Sequence, residues 1–494
     1  MDLADLPSAL LQDVLFRAVR GATADRVADL LSVCKLFRCE IKNCCVNHAT
    51  HARSNGNQPL KLQDCAALKS LVVDNGKKSL ITRQCARSGA AFALQALTSL
   101  TIKMLWPGPW EVSSEVWEDI WSESERIIKG APALAVVVLK NAPNTLFTCL
   151  GSLHALTSLK FSNDYIGESN GFKSRATMSA LSELMHSIMR LTALQDLELS
   201  CCGCHRLPNT IGRLTALQML SFAGGDLDEL PERIGKLTAL KTLDLSNCDH
   251  LKGLPDSIGQ LNALTKLDLD CQGQIIFSGS LRALPDSIGQ LAALEILRLG
   301  GQIHLVGLPN SFGHLTALQT LDLSQCRGLK RLPDSTRHLA ALQTLNLSGC
   351  ARLEGLPDSI GELTALQIMN LSGCARLEGL PGSIGYLDAL QTLDLGCLHI
   401  CPGSITGLPD SIGQLAALEI LRLGGQPHLV GLPDSIGGLT ALQTLDLSFC
   451  FDLEELPDSI GHLTALRLLN LSLCRALVGL PDSIGHLSAL TTLL

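Results

Sequence analysis

The sequence predicts an α/β solenoid in which short parallel strands line a concave sheet. Three observations carry that expectation. A Leu-Pro pair recurs with its proline at 208, 231, 255, 285, 309, 333, 357, 381, 409, 433, 457 and 481, most often 24 residues apart. Between prolines, apolar and polar residues alternate with period two, as in Thr320-Leu321-Asp322-Leu323-Ser324. The chain is 46% apolar but only 3% aromatic, so its core must be aliphatic.

Each part of the coil has a local reason. Alternation of period two makes Thr320–Ser324 a short strand, with Leu321 and Leu323 inward and Thr320, Asp322 and Ser324 outward. Pro-Asp-Ser-Ile-Gly reads as one helical turn. Proline suits its first position and glycine suits a left-handed residue that ends it. One coil cannot bury its leucines alone, whereas stacked coils can.

The unit from Leu315 to Pro333 follows the pattern L-x-x-L-x-L-x-x-C-x-x-L-x-x-L-P. Over roughly residues 191–494 this resembles the leucine-rich repeat family, most closely the intracellular plant-type repeats of Ras-group-related proteins and plant immune receptors. The resemblance implies a horseshoe. Cys202, Cys248, Cys326, Cys350, Cys374, Cys450 and Cys474 sit where many family members carry asparagine. A buried thiol there acts as a small apolar group and a weak donor. Strands about 4.8 Å apart bring Cys326, Cys350 and Cys374 near enough to oxidise if geometry allowed, which favours a reducing compartment. The array also carries a duplication. Residues 284–323 and 408–447 are nearly identical and include Leu-Glu-Ile-Leu-Arg-Leu-Gly-Gly at 294–301 and 418–425.

Residues 60–190 carry weaker versions of the pattern, at Leu68–Leu71, Leu97–Ile102, Leu134–Leu139 and Leu156–Phe161. They read as irregular repeats with helical insertions. All four tryptophans fall at 106, 110, 117 and 121. Over 114–129 apolar residues mark one helical face and acidic residues the other. Such a helix either packs on its own repeats or binds a partner. Met178, Met185 and Met189 on a helix-like stretch read as core.

The first 47 residues form a separate helical segment. Leu10, Leu11, Val14 and Leu15 lie at helical spacing, and Val27, Leu30 and Leu31 mark a second helix. The segment resembles the F-box family. Leu6-Pro7 matches the opening Leu-Pro, the four apolar residues match the first helix, and Val33-Cys34-Lys35 with Phe37-Arg38 matches the close. Phe37 replaces the commoner tryptophan, and Gly21-Ala22-Thr23 replaces the usual Leu-Pro linker. The resemblance implies that Leu6, Pro7, Leu10, Leu11, Val14, Leu15, Val33 and Phe37 bind a Skp1-like adaptor of a cullin-type ubiquitin ligase. The competing reading is a helical cap over the first coil, in a signalling or immune-type scaffold. Cys34, Cys39, Cys44, Cys45, His48 and His51 are soft ligands but match no zinc spacing.

The expected binding surface is the concave strand row Asp244, Asp268, Arg298, Asp322, Asn346, Asn370, Asp394, Arg422, Asp446 and Asn470. Beside it runs a second row, Thr242, Lys266, Ile296, Thr320, Thr344, Ile368, Thr392, Ile420, Thr444 and Leu468. Such a stripe suits an unknown protein substrate that is extended and basic or polar. Near-identical coils weaken the case for a tuned site, because specificity needs distinct groups at distinct places. No phosphate-binding loop, zinc-protease motif or nucleophile elbow occurs, so no enzyme, cofactor or metal is expected. With 39 basic and 47 acidic residues the net charge is −8, and no long basic run offers a nucleic-acid surface. No apolar run of membrane length and no secretory start is present, so a soluble cytoplasmic or nuclear protein is expected. The Asn-Leu-Ser sequons at Asn346, Asn370 and Asn470 then read as accidental. The sequence stops at Leu494, partway through a coil, which reads as a truncation or as an end that meets a partner.

Overall fold

The computed structural model describes residues 70–74, 98–103, 128–129, 131–140, 150–162, 187–200, 205–271, 279–397 and 405–494. The F-box-like segment, the tryptophan-bearing stretch, Cys202, Met178 and Met185 lie outside these residues. The chain divides into two compact units, 1–202 and 203–494.

Among its described residues the first unit contains five parallel strands: β1 (Ser70–Asp74), β2 (Ser99–Lys103), β3 (Val136–Lys140), β4 (Ser158–Ser162) and β5 (Asp196–Ser200). Their register aligns Leu71, Leu100, Val137, Leu159 and Leu197, and two residues on Val73, Ile102, Leu139, Phe161 and Leu199. In β3 and β5, burial alternates strictly, as expected of a sheet buried on one face. The weak repeats of this region thus each coincide with a parallel strand. Met189 is buried at 4% exposure, in keeping with a core role.

Among its described residues the second unit contains twelve parallel strands, running from β6 (Met219–Ser221) to β17 (Thr492–Leu493). The repeat unit around β10 (Thr320–Asp322) shows why they form. Leu315, Leu318, Leu321, Leu323, Cys326 and Leu329 are all fully buried. At roughly 1.5–3 kcal/mol per buried leucine, a coil gains its stability from neighbours above and below.

Each Leu-Pro of the second unit is followed by a five-residue 3-10 turn, for example Asp256–Gln260 and Asp458–His462. Two expectations about this turn are corrected. Pro255 does not occupy the first helical position; it precedes the turn in extended backbone, with φ −71° and ψ 155°. The left-handed residue is not the turn's glycine either. It lies just before the repeat cysteine, at Gly349 and Gly373 (φ 70° each), and with side chains at Asn247, Gln325, Phe449 and Leu473 (φ 56° to 64°). There the backbone bends away from the strand, and the N–H of Gln325 or Gly349 reaches a serine carbonyl of the next coil at 2.6 Å.

The turn's glycine answers a different need. A Cβ on Gly259 would lie 2.5 Å from the Ser287 carbonyl oxygen of the next coil, and one on Gly461 would lie 2.5 Å from that of Ser483. Glycine here permits close coil-on-coil approach. Gly485 has no such neighbour within 4 Å. Ser324 departs from strand alternation as well. It is only 3% exposed, because the bend at Gln325 ends the strand before the serine can face outward.

Candidate functional site

The strand register sets Asp244, Asp268, Arg298, Asp322, Asn346 and Asn370 side by side, and continues through Asp394, Arg422, Asp446 and Asn470. Adjacent members are one strand apart, about 4.8 Å. The outer row from Thr242 to Leu468 is in register beside it. The register therefore aligns the two rows, one residue pair per strand.

The chemistry of the inner row differs from a free acidic stripe. One oxygen of each acidic or amide residue accepts the backbone N–H two residues on. Asp244 takes Ser246 N–H at 3.0 Å, Asp322 takes Ser324 at 2.9 Å, and Asn370 takes Ser372 at 2.9 Å. Asp268, Asn346, Asp394, Asp446 and Asn470 repeat the bond at 2.9 to 3.3 Å. The residue type is fixed by the backbone: only a short side chain with a terminal oxygen can close this loop. One oxygen of each residue is thereby spent on the fold. The asparagines keep an NH2 donor, and the aspartates keep a second oxygen, which at Asp244 accepts from Ser221 Oγ at 3.2 Å and at Asp268 and Asp394 meets an arginine.

Arg298 and Arg422 are the two departures within the row. Arg298 Nη1 lies 3.5 Å from Asp268 Oδ2, which also receives Lys266 Nζ at 3.2 Å. Arg422 Nη1 lies 3.3 Å from Asp394 Oδ2. Both arginine side chains are 45% exposed. Such half-exposed pairs contribute little to stability but hold the guanidinium in place.

Beneath the row run the cysteines. Cys326 Sγ donates to the Leu299 carbonyl at 3.2 Å, Cys350 to Leu323 at 3.2 Å, Cys374 to Leu347 at 3.2 Å and Cys450 to Leu423 at 3.4 Å. Each thiol ties its coil to the preceding one, as an asparagine amide could. Burial pushes the thiols of Cys248, Cys326, Cys374 and Cys450 up to about 12. All four are free, and their position in the core makes them structural.

In the duplicated coils a glutamine replaces the cysteine, a feature sequence reading missed. Gln302 Nε2 donates to the Leu269 carbonyl at 2.7 Å, and its Oε1 accepts Leu281 N–H at 3.1 Å. Gln426 repeats both bonds, to Leu395 at 2.6 Å and from Ile405 at 3.1 Å. Both follow coils lengthened beyond 24 residues, so the longer glutamine reaches the displaced return of the chain. The signal was visible as Gly-Gly-Gln occurring only at 300–302 and 424–426.

Among the described residues, no group of three metal-ligating side chains converges. No described helix is long and apolar enough to cross a membrane. The shallow hollows beside Lys252 and beside Glu454 lie on the Leu-Pro side of the coils, and no row residue lines them.

Comparison with known proteins follows the same lines. Residues 220–302 and 286–377 match the family model described as a leucine-rich repeat region, and residues 441–463 match that of the leucine-rich repeat itself. No curated protein gives a significant match. Among solved structures, a leucine-rich repeat protein of Leptospira interrogans is similar at 26% identity over 75% of this chain and 97% of its own, with a TM-score of 0.42. An internalin of Listeria monocytogenes is similar at 13% identity over 93% and 96%, with a TM-score of 0.41. A chain of the Drosophila Toll–Spätzle complex matches at 16% identity over 77% and 47%, with a TM-score of 0.44. No catalytic family is indicated among the family models. Residues 220–377 and 441–463 thus match leucine-rich repeat models, and the 24-residue coils with their parallel strands have the architecture of a leucine-rich repeat solenoid.

Proposed function

We propose that the chain is a non-enzymatic substrate receptor. The strand face holds a protein, and residues 1–47 dock on a Skp1-like adaptor and so deliver that protein to a cullin-type ubiquitin ligase. The observation that carries the first half is the aligned inner row of polar residues from Asp244 to Asn470, each acid or amide held in one orientation by its bond to the backbone N–H two residues on. Support for the second half is the resemblance of Leu6-Pro7, Leu10, Leu11, Val14, Leu15, Val33 and Phe37 to the F-box pattern.

Co-purification tests the adaptor half. The full chain should recover Skp1, and Leu10→Asp should abolish recovery while leaving the melting temperature of the repeats unchanged. Failure of the unaltered chain to recover Skp1 rejects it. Affinity mass spectrometry with and without residues 1–45 then separates the readings. A receptor loses its ligase components but keeps its substrate, whereas a scaffold with a helical cap keeps the same set of proteins and only melts earlier.

A further inference from the structure

Eight members of the inner row accept the backbone N–H two residues on. Arg298 and Arg422 cannot, since a guanidinium has no acceptor. The N–H groups left behind belong to Gly300 and Gly424, which are buried. Among the described residues neither N–H meets an acceptor. A buried backbone donor without a partner is costly and rare. Beside each stands a guanidinium that binds one carboxylate through Nη1 and has further N–H donors to spare. On the next strand stand Asp322 and Asp446, whose Oδ1 is spent on Ser324 and Ser448 and whose Oδ2 has no partner among the described residues.

Each station thus offers two unsatisfied donors and one unsatisfied acceptor. A primary carboxamide matches that set, with its oxygen accepting from the glycine N–H and the guanidinium while its NH2 donates to the aspartate. A carboxylate would face Asp322 or Asp446, and an ammonium would face the arginine. The chain itself places a carboxamide at this position in other coils, as Asn346, Asn370 and Asn470. We propose that a partner polypeptide supplies asparagine or glutamine side chains at both stations, filling from outside the place that the rest of the row fills from within. The stations are five strand steps apart, about 24 Å, so the partner carries two such side chains at that span. The assignment rests on the reading of the strand face as a protein-binding surface and names its anchors.

The test uses the full chain labelled with nitrogen-15 glycine. The probes are acetyl-Gly-Asn-Gly-amide, its Asp and Ala counterparts, and a bivalent form with two Asn units joined by a flexible Gly/Ser linker of about 16 residues. The amide resonances of Gly300 and Gly424 should move with the Asn probe and stay in place with Asp and Ala. The bivalent probe should bind about 10- to 100-fold more tightly than the single unit. Arg298→Asn and Arg422→Asn copy the neighbouring coils, so each should fold with an unchanged or higher melting temperature. Each alone should return the bivalent probe to single-unit affinity, and both together should remove binding. Silent glycine resonances, equal response to the Asp or Ala probe, binding retained by the double variant, or a lowered melting temperature each overturn the proposal. A protein that still binds the strand face while both glycines stay silent rejects these anchors and leaves the receptor reading intact. Loss of Skp1 recovery bears only on the latter.

Discussion

At Gly259 a hydrogen atom faces the Ser287 carbonyl of the next coil, and a methyl group would lie 2.5 Å from that oxygen. We therefore predict that Gly259→Ala lowers stability by about 1–3 kcal/mol, while Gly485→Ala, with no atom within 4 Å, leaves it unchanged. Calorimetric melting of the two variants decides the matter, and equal effects would refute the close-approach account. Leu473 tests the other special backbone position. It holds φ 64° with its side chain 51% exposed, so it bears left-handed strain with little burial in return. Leu473→Gly should gain up to about 1 kcal/mol after the added chain entropy is subtracted. The thiols give a pH signature. Their folded values, about 12 at Cys248, Cys326, Cys374 and Cys450, stand above the ordinary 9.0. Such groups contribute stability fully below pH 9 and lose it as pH rises toward 12, because the unfolded chain releases the proton first. The melting temperature should accordingly fall between pH 9 and pH 11, and by less in a Cys326→Val, Cys374→Val double variant than in the parent chain. That variant should itself start lower, by about 1 kcal/mol or more, since each change orphans a carbonyl, at Leu299 and Leu347.

The strand and its two flanking bends form the next scale. Asn370→Ala removes the oxygen that holds Ser372 N–H, which should cost about 1 kcal/mol and speed hydrogen exchange at Ser372 with no change at Ser348. If exchange stays as slow as in the parent chain, the side chain is not serving the backbone. This element also shows how far the sequence could be read. Leucine spacing is a local signal, so strands, register and the order of the row from Asp244 to Asn470 were all legible. The reason for the row was not legible, because it depends on a bend whose left-handed residue carries four different side chains, at Asn247, Gln325, Phe449 and Leu473. The turn glycine was misread for a related reason. Its constraint comes from a serine a whole coil away, and local rules about glycine point instead to φ, which is ordinary there. Gln302 and Gln426 escaped notice because their partners, Leu281 and Ile405, follow stretches whose length alone gives no geometry.

At the level of the molecule, coils of the second unit touch their neighbours through strand and turn and, in most coils, through a buried cysteine or glutamine, and stability is a sum of adjacent terms. Leu345→Ala, in a site of zero exposure, should cost roughly 2–5 kcal/mol and raise hydrogen exchange most in the coils of Thr320–Asp322, Thr344–Asn346 and Ile368–Asn370, with little change at Met219–Ser221 and Thr242–Asp244. Uniform acceleration across the unit would indicate a single cooperative body instead. The glycine-to-carbonyl contact between successive turns has a further consequence. It acts as a fixed gear tooth: coils mesh only when each advances by the same step. Whole teeth can be copied or deleted without regrinding the rest, as the near-identity of residues 284–323 and 408–447 shows, whereas a fractional insertion must bulge out where no tooth engages. Lineages of such a chain are thus expected to differ in coil number far more readily than in coil pitch.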